Sequence, residues 1–559
     1  MYITNLDMEW NKIRREMRKF KILFQIMLVL NFTLVVQGYS QHLNFNWVST
    51  LEEGNADIAR AVSISDAGDV YMIGASQESG HSENGRMKTS NSDIVINEIT
   101  NMGKASWSKK AGSSIGRSNV IDEYGTDIIS KNDYLYITGV YNYQGRFDGA
   151  ELLSKGLEDI FIGKYRKNGE LMWMKSIGGV SQDLVYDMAL DSDDNIYITG
   201  SIQHDAQFGD MLISAGDNAQ FFIAKYSSGG DLLWCKYSSG NGRVAGKSVY
   251  ISAGNIYIAG EFTGSSTIGN NTLVSNGQTD IFLAKMDLDG GLKQLTTVGG
   301  EEEDRVESMV ATNKGEIYFC GSFTGFIIHQ EKIMQSNGLH DVLLGKLSPN
   351  LTIEWMNTYG GVGMDVAHAV EIVDDEIVVA GTFEKELRLN GESHWSFGFT
   401  DIFLVDLDSK GNVSWLEVIG GAGQNHVTDL RLKNNELYLS GFFIGDINFN
   451  DESSYSEKAS SSFLFNFSLG KKEESQPSIS DVVIYPNPAK NNITIRLTGE
   501  VASESKTIRV LNTGGLIRYE KQNIESEVLD INTDDYSPGM YFVEVQSQSS
   551  YFLRKIIIM

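Results

Sequence analysis

Apolar residues in this chain fall in short runs that alternate with polar positions, and the runs repeat. Seven aromatic and β-branched runs each end in a glycine: Gly74, Gly139, Gly200, Gly260, Gly321, Gly381 and Gly441. These glycines recur every 60–65 residues, the mark of a repeat architecture. Residues 183–237 show one repeat in full. Asp183 to Leu190 alternates as a first strand, A, and Asp191 to Asn195 turns the chain. Ile196 to Ser201 is strand B, and a long polar segment leads to strand C at Phe221 to Tyr226. A further turn leads to strand D at Asp231 to Tyr237. Period-two alternation over five to eight residues between Gly, Asn and Asp turns predicts half-buried strands. Four antiparallel strands per repeat predict one blade of a β-propeller, so the chain is expected to be all-β with seven blades.

Strand C recurs seven times, ending with Ser461-Ser-Phe463. Strand D recurs only six times after it, at Trp107, Trp173, Trp234, Leu295, Trp355 and Trp415. The missing one lies at the start, in Leu43 to Thr50 around Trp47. The spacing therefore predicts that this N-terminal strand pairs with residues 462–468 and closes the last blade, removing an open sheet edge.

Composition agrees. Glycine is abundant (57), proline scarce (5), and 559 residues exceed one ordinary core. A net charge of −27 repels nucleic acid and anionic lipid, so neither is expected as a partner. The two cysteines, Cys235 and Cys320, stand at different places in different repeats and read as free thiols. At the N-terminus Arg14, Arg15, Arg18, Lys19 and Lys21 precede an apolar stretch, Ile22 to Val36. That pattern predicts a signal peptide over 1–40, cleaved between Ser40 and Gln41, with Met1, Met8 or Met17 as the start. No transmembrane span is expected after cleavage.

The repeat Asp-Ile-Phe-x-x-Lys, Gly-x-Leu-x-Trp, Gly-Gly-x-x-x-Asp and Asn-x-Tyr-x-x-Gly resembles the seven-bladed β-propeller repeats of secreted bacterial proteins. The resemblance covers residues 43–470, departing at Leu295, Gln220 and Ser461, and implies fold and export rather than one activity. A polar linker, 471–480, separates the propeller (41–470) from a tail of alternating strands at 481–559, expected to be a small Ig-like β-sandwich. The tail holds Tyr485-Pro486-Asn487-Pro488, Gly514-Gly515, Pro538-Gly539-x-Tyr541 and a closing Lys555-Ile-Ile-Ile. This set resembles the type A C-terminal sorting domain of the type IX secretion system. The resemblance implies the secretion machinery as partner, passage through the periplasm to the cell surface or beyond, and a Bacteroidota-type source.

Candidate chemistry is sparse. Acids recur just before strand A, at Asp57, Glu123, Asp183, Asp304 and Asp365, with Val244 and Asn425 in the other repeats. They suit a turn cap better than a cation-binding mouth. Four positions on stand Asp127, Asp187 and Asp429, where other repeats have Ala61, Ser248, Ser308 and Ala369. These three are candidates for a ligand face, and as a carboxylate pair they would be the start of a hydrolase site. Trp395, in the aromatic stretch His394 to Phe399, is a candidate sugar-stacking residue; the competing reading is packing within the blade. Asp191 to Asn195 and Asp406 to Gly411 only faintly resemble calcium loops, so Ca2+ is the one cation considered and no cofactor is expected. The function expected is binding of a glycan or protein ligand outside the cell. The alternatives are a polysaccharide hydrolase or lyase, and a structural or adhesion component of the surface.

Overall fold

The computed structural model describes residues 43–51, 54–77, 82–83, 86–87, 92–112, 123–329, 332–373, 376–449, 452–470, 482–485, 489–497, 505–512, 516–524, 526, 528–537, 539–546 and 551–558. The signal-peptide and linker readings, including Ser40 and Gln41, lie outside these residues, as do Pro486, Asn487, Pro488, Gly514, Gly515 and Pro538. All regular structure among the described residues is β. The chain divides into two compact units, 1–470 and 471–559.

In the larger unit each repeat lays four strands side by side, antiparallel, in the order A, B, C, D. The A strands are Ala56–Ile64, Tyr124–Lys131, Leu184–Leu190, Val244–Ser252, Asp304–Ala311, Val366–Val373 and Gln424–Lys433, which number the repeats 1 to 7. The strands of repeats 7 and 1 join in one eight-stranded sheet through a parallel bridge between Ala56 and Ser460. Each A strand lies beside the next, and the seventh lies beside the first. The N-terminal strand Leu43–Leu51 supplies strand D of repeat 7. It runs antiparallel to Glu452–Leu469, with Leu43 opposite Leu469 and Leu51 opposite Ser462. Phe45 packs edge-on against Phe465 and Phe467, joining the two ends of the unit in one apolar cluster.

One expectation is corrected. The long B–C segments are not polar loops: they carry hairpins of their own. Examples are Asp205–Phe208 with Met211–Ser214 and Glu386–Leu389 with Glu392–Trp395. In repeats 2 and 7 the hairpin is continuous with B and C, as in Tyr134–Phe147 with Ala150–Arg166. Four-residue strands give too little alternation to be read from sequence.

The repeat motifs are contacts between neighbouring repeats. The motif glycine of the C–D turn lies against the tryptophan of the preceding repeat. A Cβ on Gly103 would meet the Trp47 ring at 2.7 Å, and one on Gly230 would meet Trp173 at 3.0 Å. Both glycines have positive φ (76° and 85°), so shape and backbone both require glycine there. The indole N–H of Trp47 donates to Asn101 O at 3.0 Å, and that of Trp355 to Ser409 O at 3.1 Å. The strand-C lysines lie over strand-B tyrosines: Lys164 over Tyr136, Lys225 over Tyr197, Lys285 over Tyr257 and Lys346 over Tyr318. Lys285 also donates to Pro349 O of the next repeat at 2.8 Å. Trp47 and Gly103 make this contact between repeats 7 and 1.

The smaller unit has two sheets around one core. Val482–Tyr485, Asn492–Leu497 and Val528–Asn532 form one sheet. Ile517–Ile524, Lys506–Asn512, Gly539–Gln546 and Tyr551–Ile558 form the other. Ile493, Ile495, Val510, Val543 and Ile556 fill the space between them. Tyr541 is buried and its hydroxyl donates to Ser537 O at 2.9 Å. Tyr485, Gly539 and Lys555 lie on strands of the two sheets.

Candidate functional site

The seven A strands enclose a cavity of about 400 Å3, lined by residues of every repeat. Every A strand carries a bulge whose unpaired residue (Arg60, Thr126, Tyr186, Lys247, Glu307, His368 or Thr428) immediately precedes Ala61, Asp127, Asp187, Ser248, Ser308, Ala369 or Asp429. A bulge places one extra residue on the strand and re-aims its side chain. The three aspartates singled out in the sequence follow the bulges and line the cavity.

Each of these carboxylates is engaged by the next repeat. Asp127 accepts from Met188 N at 3.2 Å, Asp187 from Val249 N at 2.7 Å and Ser248 Oγ at 3.0 Å, and Asp429 from Val62 N at 2.9 Å. Each also accepts the N–H of the residue that follows it or its neighbour: Ile128, Met188 and Leu430. The aspartate of each preceding repeat thus satisfies an N–H on the cavity side of the next A strand.

Sequence reading missed several cavity residues, among them Arg60, Lys247, Glu307 and His368, and above all Arg431 and Glu371. Arg431 and Glu371 stand two positions after Asp429 and Ala369, where the other repeats have Ser63, Ile129, Ala189, Tyr250 and Val310. An acid and a base at one otherwise uncharged position in adjacent repeats was the available signal. Arg431 contacts Asp429 at 3.1 Å and Glu371 at 3.3 Å, and reaches Asp127 at 4.0 Å, two repeats away. One guanidinium thus spans repeats 6, 7 and 2. Burial is the main force raising the carboxyl pKa values here, against the lowering effect of Arg431. Glu371 is pushed up to about 7 and Asp429 to about 6. Asp127 and Asp187 are also raised by burial, Asp187 further by the neighbouring Asp127 charge. The acids thus accept from backbone donors and pair with the Arg431 guanidinium.

The acids before strand A cap turns. Asp183 accepts from Gly179 N at 2.7 Å, Asp304 from Gly300 N at 2.6 Å and Asp365 from Gly361 N at 2.7 Å. No cluster of three or more metal-ligating side chains occurs among the described residues. Cys235 and Cys320 are buried, unpaired thiols.

Trp395 stands at the end of its hairpin and is 63% exposed; the packing reading fails because Val274, its counterpart, is also exposed. Phe397 and Phe399 follow it at 50% and 73% exposure. On the hairpin of repeat 5, Phe326, Ile328 and Ile333 are exposed as well.

Residues 483–559 match the family of secretion system C-terminal sorting domains. The match marks the chain for export through the type IX system to the cell surface or extracellular space. An uncharacterised WD repeat-containing protein of Acanthamoeba polyphaga mimivirus is 28% identical over 189 residues, which are 30% of this chain and 14% of that protein. The chain therefore spans a small part of that relative's length. Among solved structures, Drosophila Semaphorin 2a is similar with a TM-score of 0.43 at 8% identity, covering 94% of this chain and 99% of that one. Trypanosoma rangeli sialidase gives 0.31 at 8% identity, covering 92% and 87%. A DUF4221 family member from Bacteroides vulgatus gives 0.30 at 9% identity, covering 76% and 98%.

Proposed function

We propose that the mature protein is a seven-bladed β-propeller of the secreted bacterial repeat type, carried by a signal peptide and an Ig-like sorting tail. Its work is to bind a glycan at or beyond the cell surface of a Bacteroidota-type organism. One observation carries the glycan reading: Trp395, Phe397 and Phe399 form an exposed aromatic stretch at the end of a hairpin, on a protein whose charge is otherwise strongly acidic. Aromatic rings held on a rigid scaffold offer apolar faces to sugar C–H groups, and loops and hairpins are where scaffolds place function. Hydrolysis or lysis of the glycan is the alternative, favoured by the raised carboxyl groups in a cavity large enough for a ligand. Against it stands the engagement of those carboxylates by Arg431 and backbone N–H groups.

The test is affinity electrophoresis of the mature chain through gels containing single polysaccharides, with Trp395→Ala and Phe399→Ala beside it. Retardation by one polysaccharide, weakened about tenfold or more in both variants, is the expected result. Equal retardation of all three proteins removes the hairpin from the reading. Release of reducing ends or unsaturated products from the retarding polysaccharide establishes the enzyme alternative.

A further inference from the structure

Each connection between repeats holds two acids or their replacements: the residue that opens strand C and the residue that opens the next strand A. Three connections carry aspartate at both places: Asp159 with Asp183, Asp280 with Asp304, and Asp341 with Asp365. All six are 0–1% exposed. Each second aspartate is close enough to feel the charge of the first, and the Gly-Gly dipeptide touches both. A Cβ on Gly299 would come within 2.4 Å of Asp280 Oδ1, while the next residue, Gly300, donates its N–H to Asp304. Gly178-Gly179 and Gly360-Gly361 repeat this arrangement.

Backbone N–H groups satisfy one oxygen of Asp159, Asp280, Asp304 and Asp341, and both oxygens of Asp183 (Gly179 N, Gln203 N) and Asp365 (Gly361 N, Glu384 N). Asp159 accepts from Lys155 N, Asp280 from Asn276 N and Asp341 from Asn337 N, at 2.7–3.0 Å. Oδ1 of Asp159, Asp280, Asp304 and Asp341 is buried with no hydrogen-bond partner among the described residues. The surrounding charges do not neutralise the pairs. Lys155 lies near Asp159 and Asp183, but Glu302 lies near Asp304 and Glu384 near Asp365. His340, next to Asp341, responds to Arg305 and Glu303 instead. Two buried negative charges with an unpaired oxygen between them are not tolerated without a positive partner.

Two other connections show what the site accepts. Asn425 replaces the second aspartate in repeat 7, and its Nδ2 donates to Asp401 Oδ1 at 3.3 Å. An amide N–H there occupies the place of a carboxylic O–H. In the connection after repeat 3 both acids are gone together, as Gln220 and Val244, and the Gln220 amide is satisfied by Ser238 and Gly242.

We propose that each of the three aspartate pairs holds one proton, with the O–H of one carboxyl donating to the orphan oxygen of the other, so that the connections between repeats lock in mildly acidic solution and loosen in alkaline solution. Loss of the proton to solvent leaves two like charges in contact and breaks that bond. Burial raises Asp183, Asp304 and Asp365 to about 7 and Asp159 to about 6. These folded values stand above the unfolded carboxyl range near 4. The stabilisation is thus fully present below about pH 4 and is lost as pH rises through about 6 to 7.

The test is thermal unfolding of the full mature chain at pH 5.5 and pH 8.5, with the triple variant Asp183→Asn, Asp304→Asn, Asp365→Asn, which copies Asn425. Wild type should melt lower at pH 8.5, and the triple variant should melt above it there by roughly 5 °C or more, while the two coincide at pH 5.5. The single variant Asp304→Asn should show about a third of that gain and serves if the triple variant does not fold. A pH dependence unchanged by the substitutions overturns the proposal. So does a wild-type melt at pH 8.5 raised by calcium and lowered by EDTA, which would make each pair a metal site.

Discussion

Replacing Arg431 by methionine tests whether the cavity is a structural ion-pair network. The substitution keeps the apolar stem and removes the one guanidinium that contacts Asp429 and Glu371 and reaches Asp127. Breaking a fully buried pair from one side costs about 3–5 kcal/mol. The Arg431 side chain is 35% exposed, so solvent screening reduces the expected loss to about 2–3 kcal/mol. The unfolding entropy of about 430 residues is near 0.9 kcal/mol per degree, so the melting temperature should fall by about 2–3 °C. The loss depends on pH. Glu371 and Asp429, at about 7 and 6 with the arginine present, rise further without it. Their charge then vanishes in mild acid. The variant should therefore differ most from wild type near pH 8.5 and least near pH 5, measured by differential scanning calorimetry at low salt. A loss of the same size at both pH values, or none at either, would refute the network.

Two further substitutions probe the contacts between repeats. Asp187→Ala removes the acceptor for Val249 N and Ser248 Oγ and should destabilise the protein by about 1–3 kcal/mol in urea unfolding, with Asp187→Asn retaining part of the loss as stability. Gly230→Ala forces a side chain into positive φ and against Trp173; a melting temperature equal to wild type would show that the motif glycine is there for another reason.

The larger part of the fold was legible because the repeat averages away local ambiguity. A run such as Ile196 to Ser201 is an uncertain strand by itself; seven aligned runs are not. Even the closing strand followed from counting, since seven C strands and six later D strands left Trp47 as the missing partner, and it lies opposite Asn466. The hairpins between B and C escaped because their sequences differ between repeats and their strands are short. The cavity escaped for the opposite reason. Asp127, Asp187 and Asp429 stood out as breaks in a pattern, and a break reads as function. In the structure they accept from backbone N–H groups of the next repeat's A strand, and a backbone partner has no residue signature of its own. Arg431 was overlooked because its partners lie 2 and 60 residues back in sequence and, for Asp127, at the far side of the chain's closure.

The central claim is that the N-terminal strand closes the seven repeats into one ring. The most direct measurement is the unfolding of the mature chain with and without residues 41–52, followed by calorimetry and by light scattering. Without Leu43–Leu51 the Glu452–Leu469 strand loses its partner and Gly103 loses the Trp47 ring. The account predicts a lower, broader melt and association of the truncated protein through its exposed strand edge. A truncated protein that stays monomeric and melts at the wild-type temperature would contradict it.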